Sequence, residues 1–132
     1  MILVDSSVWI DYFNGKESWQ TDKLDVLLQV ELVFLGDLIY TEILQGFRSD
    51  LDFEQAKKEL EILSFQVIGG RDVALQSAIN YRILRKKGVT VRKTIDVLIG
   101  TYCILNDCLL LHSDKDFETM RQHLLLKTVI EE

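Results

Sequence analysis

Four carboxylates interrupt apolar surroundings in this chain: Asp5, Glu42, Asp96 and Asp114. Asp5 ends the run "MILV", Glu42 lies in "DLIYTEILQGF", and Asp96 opens "IDVLIGTYCIL". Asp114 follows "CLLLH", with Asp116 two residues further on. A carboxylate withdrawn from water is costly unless it is paired or binds a cation. Gathered in one pocket, four such groups repel each other, and some stay protonated unless a counter-charge arrives. Hard divalent cations supply it, because Mg²⁺ and Mn²⁺ take oxygen ligands and keep several waters. Ions of this kind meet phosphates and assist in-line displacement by water. The chemistry suited to such a set is phosphodiester hydrolysis. Each acid also has a local explanation. Asp5 fits a helix N-cap, Asp96 a first-turn acid favoured by the helix dipole, and Glu42 the border of an apolar face. Ser113 with Asp116 fits the S-x-x-[DE] capping box.

The acids act together only if the fold brings them together, so the elements that carry them decide the matter. Continuous apolar runs mark strands at "MILV" (1–4), "LVFL" (32–35), "FQVI" (65–68), "CLLLH" (108–112) and "LLLKTVI" (124–130). Helical periodicity predicts helices over about 7–13, 21–30, 37–47, 53–63 and 72–87, the last stopped by Gly88. Leu24, Leu27, Leu28 and Val30 form the apolar face of the second helix, and Phe53, Ala56 and Leu60 share one side of the fourth. "TIDVLIGTYCILN" (94–106) is nearly all apolar and is expected to be buried on most faces, and a short helix begins near Ser113. Apolar strands alternating with helices predict a parallel sheet covered on both sides. In such sheets, sites form beyond the carboxyl ends of the strands. Strands 1–4 and 108–112 are the expected sheet centre, which would make Asp5 and Asp114 neighbours.

Composition bounds the rest. The chain has 132 residues, 48% of them apolar, with no proline and no repeat or linker, and reads as one domain over 1–132. No apolar run approaches the roughly 20 residues of a membrane span. No basic-then-apolar leader opens the chain, so a cytoplasmic protein that does not engage the membrane is expected. Cys103 and Cys108 show no zinc spacing and read as core thiols. A net charge of −6 argues against general adhesion to nucleic acid. Even so, Arg82, Arg85, Lys86, Lys87, Arg92 and Lys93 crowd a window without acids. That window is either a solvated helix end or a strip that contacts phosphates.

The segments "ILVDSSVWIDYF", "YTEILQGF", "TIDVLIGTYCI" and "LLLHSDKDFETM" each contain an acid and span nearly the whole chain. In order and interval the chain resembles the PIN-domain ribonucleases, most closely the VapC-type toxins of bacterial and archaeal toxin–antitoxin pairs. The resemblance implies a three-layer α/β/α sandwich with a central, mainly parallel sheet. It also implies an endoribonuclease dependent on Mg²⁺ or Mn²⁺, with acids corresponding to Asp5, Glu42, Asp96 and Asp114. Asp116 falls on the second aspartate of the family's D-x-D-F stretch and is implied as an outer ligand. Ser6 stands where the family often has threonine, its hydroxyl holding an acid or a water on the metal. A homodimer is implied too, silenced by a VapB-like antitoxin whose tail enters the acidic groove, often with an arginine. Gly100 and Thr101 depart from the small alanines frequent in the third segment.

On this reading Asp5, Asp96 and Asp114 would ligate the tighter metal, and Glu42 would complete a second position or orient the attacking water. The Arg82–Lys93 strip would guide the RNA backbone. Two rival enzyme classes fit less well. Aspartyl-phosphate hydrolases need D-x-D after the first strand, where this chain has "DSS", and receiver-like domains want further acids that "MILV" does not supply. A PIN fold that binds RNA or protein without cutting is the remaining alternative, and it would be favoured by loss of an acid.

Overall fold

The first strand is only three residues long, yet all three are buried, because it runs between two others. In a computed structural model describing all 132 residues, β1 (Ile2–Val4) pairs in parallel with β2 (Val33–Gly36) on one side and β4 (Leu109–Leu111) on the other. β3 (Ser64–Gln66) extends β2, giving the order β3-β2-β1-β4 with every pairing parallel. All four carboxyl ends therefore open on one edge. β1 and β4 are neighbours as expected, but the interior strands are β1 and β2. β4 lies towards the outside, because β2 takes β3 as a further partner.

The predicted strand over 124–130 reduces to a single parallel bridge, Leu110 to Thr128. Leu126 is buried there and Leu124 and Val129 pack partly against the core, while Leu125 is 82% exposed. Backbone bonds from Leu110 N to Lys127 O and from Val129 N to Leu110 O still cover the outer edge of β4.

Seven helices flank the sheet in two groups. α1 (Ser6–Phe13) packs on α2 (Trp19–Gln29) and α3 (Asp37–Gln45), and α3 on α4 (Asp50–Leu60). α5 (Arg71–Lys86) packs on α6 (Thr94–Leu105), and α6 on α7 (Lys115–His123). Helix starts fall two or three residues before the apolar pattern begins where a serine caps them. Ser18 and Thr21 form a reciprocal capping box for α2, and Ser49 accepts from Asp52 N at the start of α4. Leu24 and Leu27 face the core, whereas Val30 sits at the end of α2 and is exposed. Gly88, with φ 76°, follows the last residues of α5 in the left-handed conformation glycine favours. Gly36 serves close approach instead, since a Cβ there would lie 2.7 Å from the Ile68 side chain.

One cluster of 25 buried residues joins both faces of the sheet. Cys103 and Cys108 are buried in it as free thiols. Phe117 and Met120 on α7 are fully buried, and such side chains contribute about 1.5–3 kcal/mol each, so the helix that follows Asp114 is firmly anchored. No helix is long and apolar enough to cross a membrane.

Candidate metal centre

Asp5 caps a helix and keeps an oxygen to spare. It is the residue between β1 and α1, and its Oδ2 accepts from Ser7 N at 3.0 Å and from Ser7 Oγ at 2.6 Å. Its backbone N donates to Leu111 O at 2.9 Å, tying it to the end of β4. The other oxygen, Oδ1, is buried without a partner. Burial raises the Asp5 carboxyl above its ordinary range, against the lowering pull of the Ser7 bonds.

Asp114 has the same dual character at α7. Its Oδ1 accepts from Asp116 N at 2.9 Å, so Asp114 is the N-cap, and the Ser113–Asp116 capping box expected from the sequence does not form. The amide of Asp116 is taken by the nearer carboxylate. Asp114 N donates to His112 Nδ1 at 3.2 Å.

Asp96 lies in the first turn of α6, whose N-cap, Lys93, makes no side-chain cap bond. It is 3% exposed, and its Oδ2 has no partner. Burial first, and then the charges of Asp5, Asp114 and Glu42, push it up to about 7, with Lys93 opposing. Carboxylate oxygens of Asp96, Asp114 and Asp116 converge within 4.8 Å of one another. Asp116 thus joins the tightest group, with Asp5 beside it.

Glu42 reaches the site from α3. Ser6 Oγ donates to its Oε1 at 3.0 Å across 36 residues of sequence. Burial raises the Glu42 carboxyl, the Ser6 bond opposes, Asp5 adds to the rise, and Lys93 opposes. All five acids singled out in the sequence therefore stand on one edge of the sheet.

The basic strip divides. Arg82, Arg85, Lys86 and Lys87 are exposed at the end of α5 and beyond it. The Arg85 guanidinium lies 5.8 Å from the Tyr81 ring centre, and Lys87 Nζ donates to His123 O at 3.2 Å. Arg92 and Lys93 belong to the acidic centre. Arg92 Nε donates to Asp116 Oδ2 at 3.2 Å, and its Nη2 lies 3.7 Å from Asp114 Oδ1. Sequence reasoning missed Ser7, which bonds Asp5 and also accepts from Ser113 N at 3.3 Å, and His112, which supports Asp114. The second serine of "DSS" and the histidine ending the β4 run were the available signals.

Four buried side-chain polar atoms have no partner: Trp9 Nε1, Ser77 Oγ, Asp5 Oδ1 and Asp96 Oδ2. The two that carry charge are both here. Oxygen-only donors left open beside one another suit a hard divalent cation, so the residues present fit Mg²⁺ or Mn²⁺.

A family model described as PIN domain matches residues 2–122. A VapC ribonuclease of Mycobacterium bovis, Mb1587, is 31% identical to the chain over 123 residues, covering 91% of both proteins. Ribonuclease VapC11 of Mycobacterium tuberculosis matches at the same identity and coverage. Among solved structures, VapBC2 from Rickettsia felis, bound to a DNA fragment from its promoter, has a TM-score of 0.79 at 13% identity over 100% of both chains. FitAcB from Neisseria gonorrhoeae has a TM-score of 0.74 at 14% identity over 98% of this chain and 97% of that one. At such identities the structural likeness bears on the fold alone.

Proposed function

The chain belongs to the PIN-domain family, and on that premise we propose that it is a divalent-metal-dependent endoribonuclease, the toxin of a VapBC-type pair. One observation carries this above the others: Asp5 Oδ1 and Asp96 Oδ2 are buried, unpartnered and surrounded by three further acids. Asp5, Asp96 and Asp114 would hold a Mg²⁺ or Mn²⁺, with Asp116 as outer ligand. When bound, the ion supplies the charge that makes water a competent nucleophile and stabilises the leaving oxygen of the phosphodiester.

The chain's own groups do the positioning. Ser7 fixes Asp5 through two bonds to one oxygen and leaves the other without a partner. Ser6 orients Glu42, which completes a second metal position or orients the attacking water. Arg82, Arg85, Lys86 and Lys87, with Arg92 and Lys93 at the acids, form the path for the RNA backbone. Replacing the four α5-end cations with glutamine is expected to weaken RNA binding and flatten its salt dependence.

The antitoxin would dock in a cavity of about 560 Å³ between α1, α2 and the α4–β3 turn, where Trp9, Tyr12, Phe13 and Leu28 supply apolar surface. Leu75, Ile79 and Ile83, spaced four apart on the exposed face of α5, offer a surface for a homodimer. The two buried free thiols accord with a cytoplasmic setting.

The test is incubation of the purified chain and its Asp96→Asn variant with structured RNA, Mg²⁺ or Mn²⁺, and chelator. Discrete cleavage by the unsubstituted chain alone, stopped by chelator and leaving no 2′,3′-cyclic phosphate, is the expected result. Equal activity in both proteins, or metal binding without cleavage of any RNA, would overturn the nuclease reading.

A further inference from the structure

We propose that Arg92 is a counter-cation built into the acidic centre, which a divalent ion must draw away from Asp114 and Asp116 in order to bind tightly, so that metal loading releases the guanidinium for phosphate. The inference rests on the metal reading above and adds a regulatory residue to it.

The distribution of charge carries the argument. Five carboxylates meet at this edge; Arg92 and Lys93 are the lysine and arginine side chains that answer them, with His112 beside Asp5 and Asp114. The buried half, Asp5 and Asp96, keeps two oxygens with no partner. The outer half, Asp114 and Asp116, is held by Arg92. No other member of the basic strip makes an ion pair; Arg82, Arg85, Lys86, Lys87 and Lys93 have no carboxylate within 4.0 Å.

Exposure shows which partner can move. The Arg92 side chain is 61% exposed, whereas its partners Asp116 and Asp114 are 8% and 19% exposed. The preceding residue, Val91, is buried in the core and fixes the backbone. The guanidinium can therefore swing into solvent without opening the core, while the carboxylates stay in place.

The competition is over shared charge. Carboxylate oxygens of Asp96, Asp114 and Asp116 lie within 4.8 Å of one another, close enough for one ion, and Arg92 Nε already occupies Asp116 Oδ2. By reciprocity, if the ion weakens the hold on Arg92, then removing Arg92 strengthens the hold on the ion. A freed guanidinium at the rim is well suited to a phosphate, which it can bind through two parallel bonds. Metal and RNA would thus bind cooperatively through one side chain. The sign is diagnostic, because an arginine that merely oriented Asp116 for the ion would weaken metal binding when removed.

The experiment is a calorimetric titration of the full chain with Mn²⁺, without RNA, for the unsubstituted protein, Arg92→Gln and Arg85→Gln. The last makes the same charge change on α5, where no carboxylate is paired, and thermal unfolding verifies that each protein is folded. Arg92→Gln is expected to bind Mn²⁺ about three- to tenfold tighter, with Arg85→Gln within about twofold of the original. Unchanged or weaker binding by Arg92→Gln, or an equal gain in both variants, would overturn the proposal. Absence of Mn²⁺ binding in all three proteins would instead strike the metal reading on which it stands.

Discussion

Asp96 and Thr101 lie on the same helix, both are buried, and they have been treated in opposite ways. Thr101 Oγ1 accepts from Asn80 Nδ2 at 3.0 Å, and Asn80 Oδ1 accepts from Gln76 Nε2 at 3.0 Å. This is a closed chain of neutral groups between α5 and α6. Asp96, five residues earlier, carries a charge into comparable burial and keeps Oδ2 open. At Asn80 and Thr101 the chain supplies each buried polar group with a partner. Where it withholds one from a carboxylate, the group costs stability at neutral pH unless something from outside binds it. One region holds the fold together, and the other is held ready by it.

The contrast is broken most severely at Asp96 itself. Asp96→Asn should reduce metal-dependent RNA cleavage by at least about 10³-fold while the chain stays folded. It should also raise the stability of the metal-free protein at pH 8 by about 1–3 kcal/mol, read from urea midpoints, because an uncompensated charge is gone. A loss of stability would mean that the carboxylate is already satisfied.

Next in size is the response to pH. Burial raises the carboxyls of Asp5, Glu42 and Asp96, the last to about 7, so at these three groups the folded state binds more protons than the unfolded one, while His112, lowered by burial, acts in the opposite sense. Stability from the three carboxyls is therefore full below the ordinary carboxylate range and is lost as pH rises from about 4 through 7. Denaturant titrations of the metal-free chain should show a loss of roughly 2–4 kcal/mol between those limits, and saturating Mn²⁺ should recover most of it at the upper end. A flat profile without metal would contradict the difference between the two regions.

On the satisfied side, Asn80→Ala strands the Thr101 hydroxyl and opens a small gap, and should cost about 2 kcal/mol. Mn²⁺ affinity should be unchanged, which separates the architectural network from the metal centre. The smallest effect is expected at Gly100→Ala. A Cβ there would lie 2.9 Å from Met120 Sδ, the flexible part of an adaptable side chain. Gain in helix propensity should outweigh that shift and stabilise the chain by about 0.5 kcal/mol. A loss above about 1 kcal/mol would show Met120 to be fixed in place.

These two positions also explain the departures of the third segment from the family pattern. Met120 fills the space over Gly100, and Asn80 answers the hydroxyl of Thr101. Neither compensation is visible in the segment alone, since the partners lie 20 and 21 residues away. The same distinction governs what else was legible. Apolar runs are local, so β1, β2, β4 and the helices between them could be read directly, and with them the placing of Asp5 and Asp114 at strand ends. The short bridge at Thr128 escaped because "LLLKTVI" looks like a strand while Leu125 and Ile130 stay exposed and one bridge alone forms. The N-cap at Asp114 escaped because Ser113 offered an equally good local signal. Arg92 looked like one cation in a strip, and only the approach of α7 to the start of α6 makes it the partner of Asp116.

The central claim is that the open carboxylate oxygens exist to hold a divalent ion. Crystals of the full chain grown with Mn²⁺ and measured near the manganese absorption edge test it most directly. The account predicts an anomalous peak bounded by the carboxylates of Asp5, Asp96 and Asp114, and none in crystals of Asp96→Asn. No peak at that edge of the sheet, or one of equal height in the variant, would contradict it.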